Sequence, residues 1–171
     1  MELEDLSIRA RVGLAALCLE DLLKKFVPVY TNHPGWVYIL NSIWEYTSKS
    51  PGEWHYKMAE INPLAVEEEV PFDESDLEYL DKETFFLIRD AYSKTTNKEV
   101  KNIIDLIFEI GTLDLYSSIH QKSPRTLSML KKILDITLKN GVPVPSLDRF
   151  VNYDISKNDG WGVSFNKSDV E

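Results

Sequence analysis

One cysteine in 171 residues excludes an intramolecular disulfide and a zinc site built on several thiolates. Glycine is scarce as well. The seven glycines are scattered, and only Gly160-Trp161-Gly162 forms a cluster, which a turn explains, so no phosphate-cradling loop is present. The three histidines, His33, His55 and His120, have no second His or Cys at ligand spacing, and no H-E-x-x-H occurs. No G-x-S-x-G elbow supports serine catalysis. Cys18, between Leu17 and Leu19, reads as a small buried hydrophobe rather than a nucleophile. No residue is therefore assigned to catalysis, a cofactor or a metal.

Long apolar runs are missing too. None approaches the roughly 20 residues that span a bilayer, so no membrane partner is expected. The opening Met-Glu-Leu-Glu-Asp has neither the basic region nor the apolar stretch of a secretory signal, and the expectation is a cytoplasmic protein.

Positive charge is absent from one long stretch. Residues 60–81 hold nine acids (Glu60, Glu67, Glu68, Glu69, Asp73, Glu74, Asp76, Glu78, Asp81) and no Lys or Arg. The net charge is −9, so the other 19 acids balance the 19 basic residues and the whole excess lies here. Phosphate contacts need a cationic face, which argues against a nucleic-acid partner. Leu64, Val66, Val70, Phe72, Leu77, Tyr79 and Leu80 are interleaved with the acids. The structural reading is a solvated loop pinned to the core by its apolar residues. The functional reading is an anionic surface with aromatic anchors for a basic protein: Glu67, Glu68, Glu69, Asp73, Glu74, Asp76 and Glu78 supply charge, and Phe72 and Tyr79 supply contact.

What the chain has in quantity is helical periodicity. The stretch from Trp36 to Pro63 carries three of the four tryptophans and reads as two helices hinged at Lys49-Ser50-Pro51-Gly52, with Ser50 and Glu53 as a capping box. Trp36, Trp44 and Trp54 are assigned to the core, around which the rest should be organised. Before it, Ile8, Val12, Ala15, Leu19, Leu22 and Phe26 form one apolar stripe, with Arg9, Arg11, Glu20 and Asp21 on other faces. Gly13 inside that stripe hints at a close helix contact. Further helices are expected from Asp81, from a Thr96–Glu99 capping box, and from Ser123-Pro124 to Asn140-Gly141. Between residues 150 and 166 the period changes to two, with a turn signal at Asn158-Asp159-Gly160, which predicts a β-hairpin. The expectation is a single domain, 1–171. It is mainly α: an irregular antiparallel bundle of about six helices with a small C-terminal β-hairpin.

The segments LSIRARVGLAALCLE, WVYILNSIWEYTS and EWHYKMAEINP together resemble the Imm6 family, predicted all-helical immunity proteins of bacterial polymorphic toxin systems. They cover the first third of the chain. The resemblance implies a non-enzymatic antidote that binds and blocks a cognate protein toxin, and it transfers no site residues. An acidic surface would suit a basic toxin, a nuclease among the possibilities, with the antidote a monomer or weak dimer. Two other readings stay open. One is a scaffold or regulator acting as a homo-oligomer. The other is a carboxylate-dependent hydrolase using Asp105, Glu109 and His120, although Asp105 and Glu109 alternate with Ile103, Ile104, Ile107 and Ile110 as solvent-facing positions would.

Overall fold

Every residue from Leu6 to Glu20 is buried in the computed structural model, which describes residues 1–68 and 72–171. A surface helix hides one stripe; a helix enclosed on all sides is a central strut. Helix α1 (Ile8–Phe26) is that strut, and α2 (Pro34–Ser48), α6 (Lys98–Thr112) and α7 (Pro124–Lys139) pack around it. Helix α3 (Pro51–Ile61) lies against α2 and α6, the five-residue α4 (Pro63–Glu67) against α3 and α5, and α5 (Lys82–Ser93) against α2. The architecture is a helical bundle, as the periodicities predict, with six helices of eleven residues or more among the described residues. The tryptophan-rich pair flanks the centre rather than forming it. Trp36, Trp44 and Trp54 are buried as expected. No helix among the described residues is long and apolar enough to cross a membrane.

Three polar side chains of α1, read as outward-facing, are inside. Glu20 accepts the Trp44 indole N–H and the Lys167 ammonium, both at 2.7 Å. Arg9 donates to the carbonyls of Tyr46 and Lys49 at the end of α2. Arg11 donates through Nε to the Leu6 carbonyl, through Nη1 to the Ser123 carbonyl and Thr126 Oγ1, and through Nη2 to the carbonyls of Glu4 and Lys122. Buried charges persist only when paired or hydrogen-bonded, and each of these side chains is held by at least one partner distant in sequence, although Arg9 Nε is buried without an acceptor among the described residues. Burial lowers the Arg11 guanidinium pKa from its ordinary value to about 10, and it remains charged at neutral pH.

Several helix starts follow the sequence and two differ. Ser7 caps α1, accepting from the Ala10 N–H, and Gly141 adopts the left-handed conformation (φ 66°) after α7. Ser50 precedes α3 without a side-chain cap, so that capping box does not form. The cap of α6 is Asn97 rather than Thr96, its side chain accepting from the Glu99 N–H.

The expected hairpin over 150–166 is absent: no strand occurs among the described residues, and one isolated bridge joins Leu6 to Asp154. The reason lies in where the backbone bonds go. Ser7 N–H donates to the Tyr153 carbonyl, Arg9 N–H to Trp161, Ile155 N–H to Asp5, and Phe165 N–H to Thr47. The segment thus pairs with the start of α1 and the end of α2 and closes only short turns on itself, so no two-stranded ladder forms. Of its alternating apolar residues Phe165 is buried, Tyr153, Ile155 and Trp161 are half-buried and Val151 and Val163 are exposed, while Phe150 just before them is buried. This also explains Gly13. A Cβ there would lie 2.9 Å from Phe165 Cζ and 3.2 Å from Phe150 Cε1, so the close contact is with tail aromatics, not another helix.

Candidate functional site

The acidic segment begins where Asn62 ends α3 and caps α4 by accepting from the Leu64 N–H. Part of its charge is structural. The Glu60 carboxylate accepts the backbone N–H groups of Glu78, Tyr79 and Leu80 at 2.8–3.1 Å, which clamps the incoming chain to α3. Asp73 accepts from the Ser75 N–H and hydroxyl, which hold its carboxyl below the ordinary range. Asp81 caps α5 through the Thr84 N–H, with the same consequence. Glu67 pairs with Lys101 at 2.6 Å.

The remaining predicted residues divide. Glu68, Glu74, Asp76 and Glu78 are exposed, and their carboxylates make no ion pair or side-chain hydrogen bond among the described residues. Glu69 lies outside the described residues. Phe72, expected as a protruding anchor, is instead half-buried, with its ring centroid 4.9 Å from Phe85 and 5.1 Å from Phe86. Tyr79 is 40% exposed, as an anchor should be. Partial desolvation, reinforced by Glu78 and the more distant Glu53 and Glu60, raises its hydroxyl above the ordinary range.

A cleft of about 300 Å³ runs along this segment. Val66, Phe72, Leu77 and Phe85 line it with apolar surface, and the carboxyl-bearing residues are Glu60, Glu68, Asp73 and Asp76. Arg89 is the one cation among the described lining residues. A cleft so built suits an apolar side chain on a basic backbone far better than an anion.

Tyr79 also belongs to an aromatic strip that sequence reasoning missed. Its ring stacks on Tyr56 (6.1 Å, 5° between planes), Tyr56 lies 4.9 Å from His55, and His55 stacks on Phe108 (5.9 Å) and meets Tyr116 edge-on (6.5 Å). Tyr56 is 51% exposed and Tyr116 81%. Interaction with the Tyr56 hydroxyl raises that of Tyr116. Underneath, Phe108 leans on Trp54, whose indole donates to the Ser42 carbonyl at 2.7 Å. The position of Tyr56, off the Trp54-Met58-Ile61 stripe, was the one readable signal. Nothing local marks Tyr116.

The alternative carboxylate site does not assemble. His120 is exposed in the segment after α6, and no group of three or more His, Cys, Asp or Glu could hold a metal among the described residues. Asp105 is not simply solvent-facing, however. One of its carboxylate oxygens is buried without a partner, and desolvation, with repulsion from Glu109 and Glu67, raises its pKa. Cys18 is fully buried, and its thiol is pushed up to about 12 by desolvation. No family model, curated protein or solved structure matches the chain significantly.

Proposed function

We propose that this protein is a non-enzymatic immunity protein that binds and neutralises a basic protein toxin through the acidic face between α3 and α5. One observation carries the reading: Glu68, Glu74, Asp76 and Glu78 stand exposed and, among the described residues, without partners, beside an exposed tyrosine and an apolar cleft. Unpaired surface carboxylates add little to folding. They do speed encounter with a cationic partner and exclude wrong ones. A toxin that grips a polyanion, such as a nuclease, presents the complementary charge.

The partner to test is the C-terminal domain of a large secreted protein, if the gene immediately upstream encodes one. Co-expression should protect cells from that domain, and the purified proteins should bind one to one. Replacing Glu68, Glu74, Asp76 and Glu78 by Gln or Asn should slow association about 10-fold or more at low salt. The salt dependence should flatten, while thermal stability stays put. Unchanged association and unchanged salt dependence would move the interface elsewhere.

A further inference from the structure

We infer that the strip Tyr79–Tyr56–His55–Tyr116 is the seat for arginine and lysine side chains of an extended basic segment of the partner. The inference rests on the reading that the partner is a basic protein. Single exposed aromatics are ordinary on a protein surface. A run of adjoining rings, two of them with half or more of their surface in solvent, is not. Tyrosine at such a place offers a large, stiff contact area with few rotamers to lose.

Charge decides what occupies it. The face of a tyrosine ring attracts a guanidinium or ammonium. Glu53 and Glu60 stand one helical turn before and after Tyr56 on α3, and Glu78 adjoins Tyr79. Lys49 and Lys57 both pair with Glu45, and Glu60 is held by backbone N–H groups but keeps its charge, so Glu53, Glu60 and Glu78 leave the strip net negative. The strip is thus a row of π faces inside a negative field. A nucleic-acid strand would meet repulsion at its phosphates. A second copy docking symmetrically would set the same carboxylates against each other.

Spacing adds a further match. Successive rings from Tyr79 to Tyr116 are 6.1, 4.9 and 6.5 Å apart. Alternate side chains of an extended peptide project on one face about 6.6 Å apart. A segment with Arg or Lys at every second position therefore brings two cations to the neighbouring Tyr79 and Tyr56 rings, 6.1 Å apart. The platform is firm, because His55 rests on Phe108 and Phe108 on Trp54, which is tied to α2.

The test uses a fluorescein-labelled peptide of five Arg-Ser repeats, with a Gly-Ser peptide as control, titrated against the full chain at low ionic strength. Tyr56→Ala/Tyr79→Ala should weaken binding by about 5- to 30-fold, the loss of two exposed cation–π contacts. Tyr56→Phe/Tyr79→Phe, which keeps both rings, should stay within about 2-fold of the parent. Tyr116→Ala, at a side chain that is almost wholly exposed, should weaken binding without touching the fold. Failure of the parent chain to bind the Arg-Ser peptide overturns the inference, as does equal binding by the double alanine variant. Self-association in sedimentation that disappears in that variant would assign the strip to a second copy instead. If the double alanine variant binds normally while neutralised Glu68, Glu74, Asp76 and Glu78 still slow the toxin, the strip assignment fails and the acidic-face reading survives. If those neutralised acids leave toxin association unchanged, the acidic-face reading itself fails.

Discussion

Replacing Arg11 by Met should cost about 3–5 kcal/mol: each of its three buried hydrogen bonds from a charged donor is worth about 1.5–3 kcal/mol, and relief of the guanidinium's desolvation returns part of the sum. The five donor contacts measure 2.7–3.2 Å. Those to Leu6, Ser123 and Thr126 are buried, and those to Glu4 and Lys122 only partly so. Water can replace the guanidinium at the outer two carbonyls but not at the Leu6 carbonyl, which costs about 1–3 kcal/mol when orphaned, whereas the Ser123 carbonyl keeps the Leu127 N–H and Thr126 Oγ1 keeps the Ser123 hydroxyl. Removing the buried charge returns some of that, because the desolvation that lowers Arg11 to about 10 is relieved. The anchored backbone matters as well: Gln121, Lys122 and Ser123 hold φ of 47°, 59° and 46°, a left-handed run that only surrounding bonds can maintain. Urea unfolding followed by tryptophan fluorescence is the assay. With a slope of about 2 kcal/mol/M the midpoint should fall by about 1.5–2.5 M, and Arg11→Lys should fall between parent and Met variant. Limited proteolysis should find a new cut at residues 121–123. A loss under about 1 kcal/mol for Arg11→Met would show that this network is not what holds α1 to the start of α7.

Asp105→Asn should raise the melting temperature near neutral pH and change little near pH 3. The raised folded pKa means the unfolded chain releases this proton first, so stability falls as pH climbs from the ordinary carboxylate value through the raised one; equal melting of the two proteins at neutral pH would contradict this. Glu60→Ala should leave the bundle folded but speed amide hydrogen exchange at Glu78, Tyr79 and Leu80 about 10-fold or more, since their shared acceptor is gone. Unaltered protection there would mean that Glu60 does not clamp the turn. The Cys18 thiol should ignore a disulfide reagent at mildly alkaline pH and react with one equivalent in denaturant, because burial holds its pKa near about 12. Stoichiometric reaction of the native protein would refute that assignment.

The helices were legible because their signals are local. Apolar spacings of three and four, Ser123-Pro124 before α7 and Asn140-Gly141 after it each act within one or two turns, and each lies where the pattern placed it. The acidic bias of residues 60–81 was equally plain. What the spacing could not show was which helix is central. Arg9, Arg11 and Glu20 look like surface residues by type, and only partners 24 to 147 residues away make their burial tolerable. The period-two pattern of 150–166 was real but misassigned, since alternation records which side chains face a core and is silent about which backbone accepts the hydrogen bonds.

The same division runs through the candidate site. By itself the sequence determined the charge and that aromatics lie among the acids. Tertiary structure decided the rest: it tucked Phe72 against α5, spent Glu60, Asp73 and Asp81 on backbone N–H groups, and left Glu68, Glu74, Asp76 and Glu78 outside. It also brought Tyr56, Tyr79 and Tyr116, from three separate segments, into one strip. Charge and periodicity are properties of neighbours along a chain, whereas a surface is made by residues that meet only after long loops have closed.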